Sequence, residues 1–173
     1  MTNFKEDLTR VKAFVFDIDG VMSLQTISLN AFGVPNRTVN LRDGYAIQLA
    51  VKKGYRVGII SGSNAKEYIK RLKSLGVSDI FLNSRAKTEH FNNFCTKHKI
   101  QPSDVMYMGD DIPDHGVMKL AGVPVCPADA DSEIKKVALY ISDKRGGEGC
   151  VRDVIEQVLR LHNNWMDNDA FSW

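Results

Sequence analysis

Two groups of aspartates each follow an apolar run, at the point where a buried strand would end. Asp17 and Asp19 lie in the stretch FVFDIDGVMS. A later stretch, YMGDDIPD, supplies Asp110, Asp111 and Asp114. Carboxylates that meet at one place repel one another strongly unless a cation lies among them, and all-oxygen ligation suits Mg²⁺. A single Asp-x-Asp is equally typical of a solvated turn or a helix cap, but two groups at strand ends predict a metal site.

Two further features indicate phosphate binding near the same site. The stretch IISGSN ends a second apolar run with Ser61 and Gly62, where a hydroxyl and backbone N–H groups lead toward a helix N-terminus. The alternative is that Ser61 only caps the next helix. Lys87 opens a later helix, where its charge opposes the helix dipole, so the position favours a phosphate ligand over a solvated lysine.

The elements that must position these residues alternate along the chain. The strand-like apolar runs are residues 12–18, 55–61, 79–83, 105–110 and 123–127. Helical patterns cover residues 44–54, 65–75, about 88–98 and 151–162. Nearly continuous apolar strands between helices predict an α/β fold, a doubly wound, Rossmann-like parallel sheet whose ligands lie beyond the carboxyl ends of the strands.

Residues 24–42 interrupt this alternation. The stretches 26–29 and 37–41 are β-like and flank a Gly-Val-Pro-Asn turn, which predicts a β-hairpin inserted after strand 1. Such a hairpin could be a lid, an oligomer contact or both. The tail, about residues 164–173, could be disordered or exchanged with another subunit.

Composition limits the classes of function. The 173 residues, 43% of them hydrophobic, fit one domain spanning residues 1–173. A net charge of +2 argues against nucleic-acid and polybasic membrane partners. The charged N-terminus and the lack of a membrane-length apolar run predict a cytoplasmic protein. Cys95, Cys126 and Cys150 form no Cys-x-x-Cys pair and are predicted to be reduced and buried.

The order of the motifs resembles the haloacid dehalogenase superfamily of phosphohydrolases over about residues 10–160. The series is Asp-x-Asp-Gly, a serine ending the second strand, a lysine, and then Gly-Asp-Asp-x-x-Asp. More narrowly, NLRDG, PADA and GGEGCVRDVI resemble the 3-deoxy-D-manno-octulosonate 8-phosphate (Kdo 8-phosphate) phosphatases of lipopolysaccharide synthesis. The resemblance implies a Mg²⁺-dependent phosphomonoester hydrolase of haloacid dehalogenase type.

The resemblance also implies roles for the acidic residues. Asp17 would attack phosphorus and become an aspartyl phosphate, and Asp19 would act as general acid and then as general base. Mg²⁺ would be held by Asp17, by the backbone carbonyl of Asp19 and by Asp110. Asp114 would orient Lys87 or a metal-bound water, and Asp111 is a further supporting candidate.

Ser61 and Lys87 would bind the transferring phosphate oxygens. The implied substrate-binding residues are Asn40, Arg42, Asp43, Gly44, Gly62, Arg71 and Lys87. Arg42 or Arg71 could pair with the carboxylate of a sugar acid, although either could equally be a solvated surface arginine. Gln48 and Ser63 replace arginines of many relatives. Ser63 is also not the glutamate of relatives that act on nine-carbon acids, so the eight-carbon acid is favoured over a nine-carbon or other sugar phosphate.

The resemblance further implies a homotetramer built through the hairpins, with a neighbour's C-terminal segment closing each site. That segment would be KRGGEG, where Gly146, Gly147 and Gly149 permit close backbone approach. A flexible turn is the alternative.

Two other classes of protein share part of this residue set. A phospho-accepting receiver domain uses similar residues, but there the acidic pair precedes the phosphorylated aspartate. A non-catalytic binding module would not need the whole set of Asp17, Asp19, Ser61, Lys87 and Asp110.

Overall fold

The apolar runs of the sequence become the strands of one parallel sheet in the computed structural model, which describes residues 4–172. Within that range the strands are β1 (Ala13–Phe16), β2 (Arg56–Ile60), β3 (Asp79–Phe81), β4 (Val105–Met108), β5 (Val123–Cys126) and β6 (Tyr140–Ile141). Their order is β3–β2–β1–β4–β5–β6, and every neighbouring pair is parallel. The predicted doubly wound α/β fold is confirmed.

Helices cover both faces of the sheet. Within the described range they are α1 (Phe4–Leu8), α2 (Leu41–Lys52), α3 (Lys66–Ser74), α4 (Lys87–His98), α5 (His115–Leu120), α6 (Ser132–Val137) and α7 (Cys150–Leu161). Successive side chains of a strand point to opposite faces, so Phe14 and Phe16 pack with α1, α2, α3 and α7, whereas Val15 packs with α4, α5 and α6. The four predicted helices correspond to α2, α3, α4 and α7. The three cysteines are free and buried, as predicted.

Residues 24–40, called the insertion segment below, differ from the predicted hairpin. The structure describes all of these residues, and they contain one antiparallel bridge, between Leu29 and Pro35, and no strand. The predicted β-stretch 37–41 is wrong. Asn40 instead accepts hydrogen bonds from the N–H groups of Arg42 and Asp43, so α2 begins at Leu41.

The C-terminal tail lies against α2 of its own chain as far as Ser172. The Tyr45 hydroxyl donates to the Ala170 carbonyl at 2.5 Å, and Lys53 Nζ lies 2.5 Å from Asp169 Oδ2. Trp173 is outside the described residues. No helix in the described part of the chain is long and apolar enough to cross a membrane.

Candidate active site

The carboxyl ends of three neighbouring strands bring Asp17, Ser61 and Asp110 to one cleft of about 560 Å³. Asp17 directly follows β1, and its N–H donates to the Met108 carbonyl at 3.1 Å. Ser61 directly follows β2, and its N–H donates to the Phe81 carbonyl at 2.9 Å. These two bonds continue the hydrogen-bond pattern of the sheet, so the sheet holds the backbone from which the Asp17 and Ser61 side chains project.

Lys87 joins the two acidic groups at the bottom of the cleft. It opens α4, and its Nζ donates to Asp17 Oδ2 at 2.6 Å and to Asp114 Oδ1 at 2.7 Å. All three side chains are buried. Asp114 also accepts from the Tyr107 hydroxyl at 2.5 Å and from the Asp110 N–H at 3.2 Å. The predicted contact between Asp114 and Lys87 is therefore present.

The electrostatics of the buried carboxylates favour a cation. Burial, and then the charge of Asp114, raise the pKa of Asp17 to about 7, although Lys87 acts in the opposite direction. Burial, and then the charge of Asp17, raise the pKa of Asp110 to about 7 as well. A divalent cation would relieve both effects, because it replaces lost hydration and screens the repulsion.

The donor set fits Mg²⁺. Asp17, Asp110 and Asp114 each offer one oxygen, and these atoms lie within 4.8 Å of one another. Mg²⁺ takes oxygen ligands and needs few carboxylates. Asp114 accepts three hydrogen bonds, two at Oδ1 and one at Oδ2, whereas each oxygen of Asp17 accepts one and Asp110 accepts one at Oδ2 only. Asp17 and Asp110 therefore have more capacity left and are the better candidates for direct ligands.

Asp19 lies on the rim of the cleft and pairs with a residue that the sequence analysis missed. Arg37 Nε lies 2.7 Å from Asp19 Oδ1, and Arg37 Nη2 lies 3.0 Å from Asp19 Oδ2. Arg37 Nη1 also donates to Glu67. No local pattern in the insertion segment marks Arg37, because the contact depends on how that segment folds back. Ligation of a metal by the Asp19 carbonyl stays a prediction.

Gln25 and Asp129 are further cleft residues that were missed as site residues. Gln25 Nε2 donates to Asp110 Oδ2 and to the Asp129 carbonyl, both at 3.2 Å. Asp129 lies in the PADA motif, which marks the family resemblance.

Two of the predicted residues also lie at the cleft. Gly62 lines it, and Asp111 lies on its exposed rim, where Asp111 caps a 3-10 turn by accepting from the Ile112 N–H at 2.8 Å.

Five of the predicted substrate-binding residues do not line this cleft, namely Asn40, Arg42, Asp43, Gly44 and Arg71. The first caps α2. Asp43 is buried and accepts from the Arg152 N–H at 2.8 Å, and a Cβ added at Gly44 would lie 2.7 Å from Arg71 Nη2. Arg42 is exposed and lines a separate groove between the start of α2 and α7. These contacts account for Asn40, Asp43 and Gly44 as structural residues, and substrate binding by the five stays a prediction.

The KRGGEG segment packs against the first acidic loop of its own chain. Gly147 N–H donates to the Val21 carbonyl at 2.8 Å, and a Cβ added at Gly146 would lie 1.9 Å from the Gly20 carbonyl oxygen. The close approach that these glycines permit is thus used within the chain. Closure of a neighbour's site by this segment stays a prediction.

Comparison with known families places the cleft in a class of enzymes. The profile of the haloacid dehalogenase-like hydrolases matches residues 78–154, which include Lys87, Asp110 and Asp114. The part of the cleft that these residues form is therefore similar to that of a haloacid dehalogenase-like hydrolase.

Individual relatives narrow the class. The 3-deoxy-D-manno-octulosonate 8-phosphate phosphatase KdsC of Escherichia coli K12 is 34% identical over 149 residues, covering 86% of this chain and 79% of the relative. The crystal structure of the corresponding phosphatase of Yersinia pestis has a TM-score of 0.89 and 30% identity, over 93% of this chain and 87% of that one. That of Moraxella catarrhalis, in complex with magnesium ion, phosphate ion and KDO, also has a TM-score of 0.89 and 30% identity, over 97% and 95%.

The chain belongs to the family of these KdsC-like phosphatases within the haloacid dehalogenase-like hydrolases. It is accordingly an enzyme, a phosphatase.

Proposed function

We propose that this phosphatase hydrolyses Kdo 8-phosphate in lipopolysaccharide precursor synthesis, with Mg²⁺ and through an aspartyl phosphate on Asp17. The observation that carries the proposal is the buried contact between Asp17 and Lys87, 2.6 Å apart at the end of β1. It combines a nucleophile and a phosphate-binding cation at one strand end of a KdsC-like fold.

Each residue of the cleft has its own role in the proposed reaction. An oxygen of Asp17 attacks phosphorus in line, and Ser61, the Gly62 backbone and Lys87 bind the transferring oxygens. Asp19 gives a proton to the leaving sugar oxygen and then takes one from the water that hydrolyses the aspartyl phosphate. Asp114 holds Lys87 in place.

Asp17, the backbone carbonyl of Asp19 and Asp110 would hold Mg²⁺. When bound, the ion screens the repulsion between the attacking carboxylate and the phosphate.

The proposed assembly is a homotetramer through the insertion segments. Four large apolar side chains of the segment are exposed, Leu29 at 63%, Phe32 at 91%, Val34 at 44% and Val39 at 49%. Apolar side chains exposed together on a surface are typical of an interface.

The test is a comparison of kcat/KM for Kdo 8-phosphate, a nine-carbon sugar-acid phosphate and a hexose phosphate, each with Mg²⁺ and with chelator. We expect Kdo 8-phosphate to have the highest value, chelator to abolish turnover, and Asp17→Asn to be inactive. A higher value for the nine-carbon acid would overturn the substrate, and full activity of Asp17→Asn would overturn the mechanism.

A further inference from the structure

A two-pronged ion pair joins the insertion segment to the active-site cleft. Both oxygens of Asp19 accept from one guanidinium, with Arg37 Nε at 2.7 Å from Oδ1 and Nη2 at 3.0 Å from Oδ2. The third nitrogen of the guanidinium, Nη1, donates to Glu67 in the first turn of α3. Arg37 is thus held between a cleft residue and the adjacent helix.

The Arg37 side chain is more enclosed than its partners. It is 5% exposed, whereas Asp19 is 37% and Glu67 is 41% exposed. An exposed ion pair contributes little because both side chains stay hydrated and mobile. A guanidinium withdrawn from water with all three nitrogens engaged fixes the orientation of the carboxylate that it holds.

The backbone beside Arg37 is fixed as well. Thr38 N–H donates to Ser23 Oγ at 2.9 Å, and Leu24 N–H donates to Thr38 Oγ1 at 3.0 Å. The Tyr68 hydroxyl of α3 donates to the Thr38 carbonyl. The end of the insertion segment is therefore tied both to the loop after β1 and to α3.

We propose that Arg37 is a positioning residue, which sets the orientation of Asp19 for proton transfer to the leaving oxygen of the substrate. In that step one oxygen of Asp19 carries the proton that it gives to the leaving oxygen, and Arg37 holds the side chain through the other oxygen. The inference rests on the proposed function, in which Asp19 is the general acid. A general acid must be within hydrogen-bond reach of the leaving oxygen, and small displacements are costly. The insertion segment then contributes to catalysis through Asp19.

The test compares Arg37→Met with wild type on three substrates. Kdo 8-phosphate has an alkyl leaving group and a carboxylate, a hexose 6-phosphate has an alkyl leaving group alone, and p-nitrophenyl phosphate has a leaving group that departs without a proton. The ratio kcat/KM reports steps up to phosphoryl transfer. We expect it to fall about 10- to 100-fold for both alkyl phosphates and less than about threefold for p-nitrophenyl phosphate.

Matched variants separate positioning from folding. Arg37→Lys keeps the positive charge but cannot bind both oxygens of Asp19 side by side. We therefore expect a smaller loss of kcat/KM with the same dependence on the leaving group. Lys70→Met removes an exposed cation from α3 and should change none of the three values. The double variant Asp19→Asn/Arg37→Met should be no slower than Asp19→Asn alone with the alkyl phosphates, because the two residues act together.

Each remaining outcome would overturn the inference. No loss with either alkyl phosphate would show that Asp19 needs no support from Arg37. Equal losses on all three substrates would indicate a structural role, and a loss confined to Kdo 8-phosphate, mainly in KM, would make Arg37 a carboxylate ligand. These outcomes leave the proposed function intact, whereas a wild-type enzyme inactive on all three would overturn that function and the inference with it.

Discussion

Gly20 is the residue of the first acidic loop that faces Asp110, and its missing side chain allows the loop to approach Asp110. A Cβ at Gly20 would lie 1.9 Å from Asp110 Oδ2, and the residue has φ +81°, a conformation that favours glycine. The glycine of the Asp-x-Asp-Gly motif is therefore required by the geometry of the site as well as by the turn.

At this residue we predict that Gly20→Ala loses activity about 100-fold, because displacing Asp110 by an ångström or more disturbs the site. Gly33→Ala is the matched control. Gly33 has φ +73° and nothing within 4 Å of an added Cβ. An alanine at position 33 therefore meets the same backbone strain as at position 20, but no steric clash. We expect Gly33→Ala to keep activity within about twofold. Equal losses in the two variants, measured as kcat/KM with Mg²⁺, would contradict this account.

Asp43 gives a prediction about pH. Burial raises its pKa from 3.8 to about 6, although a hydrogen bond from the Arg152 backbone acts in the opposite direction. The folded state thus binds this proton more tightly than the unfolded chain. Its stabilising effect is complete below about pH 4 and is lost as the pH rises through about 6, an effect on the order of 3 kcal/mol.

Urea denaturation of wild type and Asp43→Asn at pH 4.5 and 7.5 measures this effect. We expect the free energy of unfolding of wild type, relative to the variant, to be larger at pH 4.5. Other titrating groups are common to both proteins and cancel in the difference. A difference that does not change with pH would mean that Asp43 is charged in the folded state at both pH values.

The central residues of the site were predictable because each follows a recognisable strand. Asp17, Ser61 and Asp110 come directly after apolar runs or within two residues of them, and parallel strands end at one edge of a sheet. Arg37 was not predictable, because its contact with Asp19 depends on a loop held by Thr38 and Tyr68, which no local period encodes.

At the scale of elements, long apolar or periodic runs were predictable and short ones were not. β6 has two residues, of which Ile141 is exposed, and α5 and α6 have six residues each. Such elements are too short to show a period, and their positions are set by packing on their neighbours. The predicted β-stretch 37–41 was wrong for a different reason, because Asn40 caps α2, which begins at Leu41.

Asn40 provides a test at this scale. Its side chain accepts from the N–H groups of Arg42 and Asp43, and its Nδ2 donates to the Gly147 carbonyl at 3.2 Å. We predict that Asn40→Ala lowers the free energy of unfolding by about 1 kcal/mol, whereas Asn40→Asp, which can still cap the helix, loses less. Urea denaturation measures both. Equal stability of Asn40→Ala and wild type would contradict the capping role.

For the whole molecule, the exposed apolar side chains of the insertion segment bear on assembly. Phe32 is 91% exposed in the single chain, although the sheet and its helices bury most other large apolar residues of the described range. A surface of this kind is costly to leave in water unless another molecule covers it.

We predict that wild type is a tetramer by light scattering and that Phe32→Ser shifts it toward smaller species. Leu120→Ser is the control, because Leu120 is 44% exposed but lies on α5, outside the insertion segment. A monomeric wild type, or an unchanged mass for Phe32→Ser, would contradict assembly through this segment.

The most direct test of the central claim is to trap the enzyme during turnover. Wild type is mixed with Kdo 8-phosphate and Mg²⁺, quenched in acid and reduced with borohydride, which converts an aspartyl phosphate to homoserine. Peptide mass spectrometry should then find homoserine at position 17 and unmodified aspartate at positions 19 and 110. Unmodified Asp17 in an enzyme that was turning over, or homoserine at another position, would contradict the account.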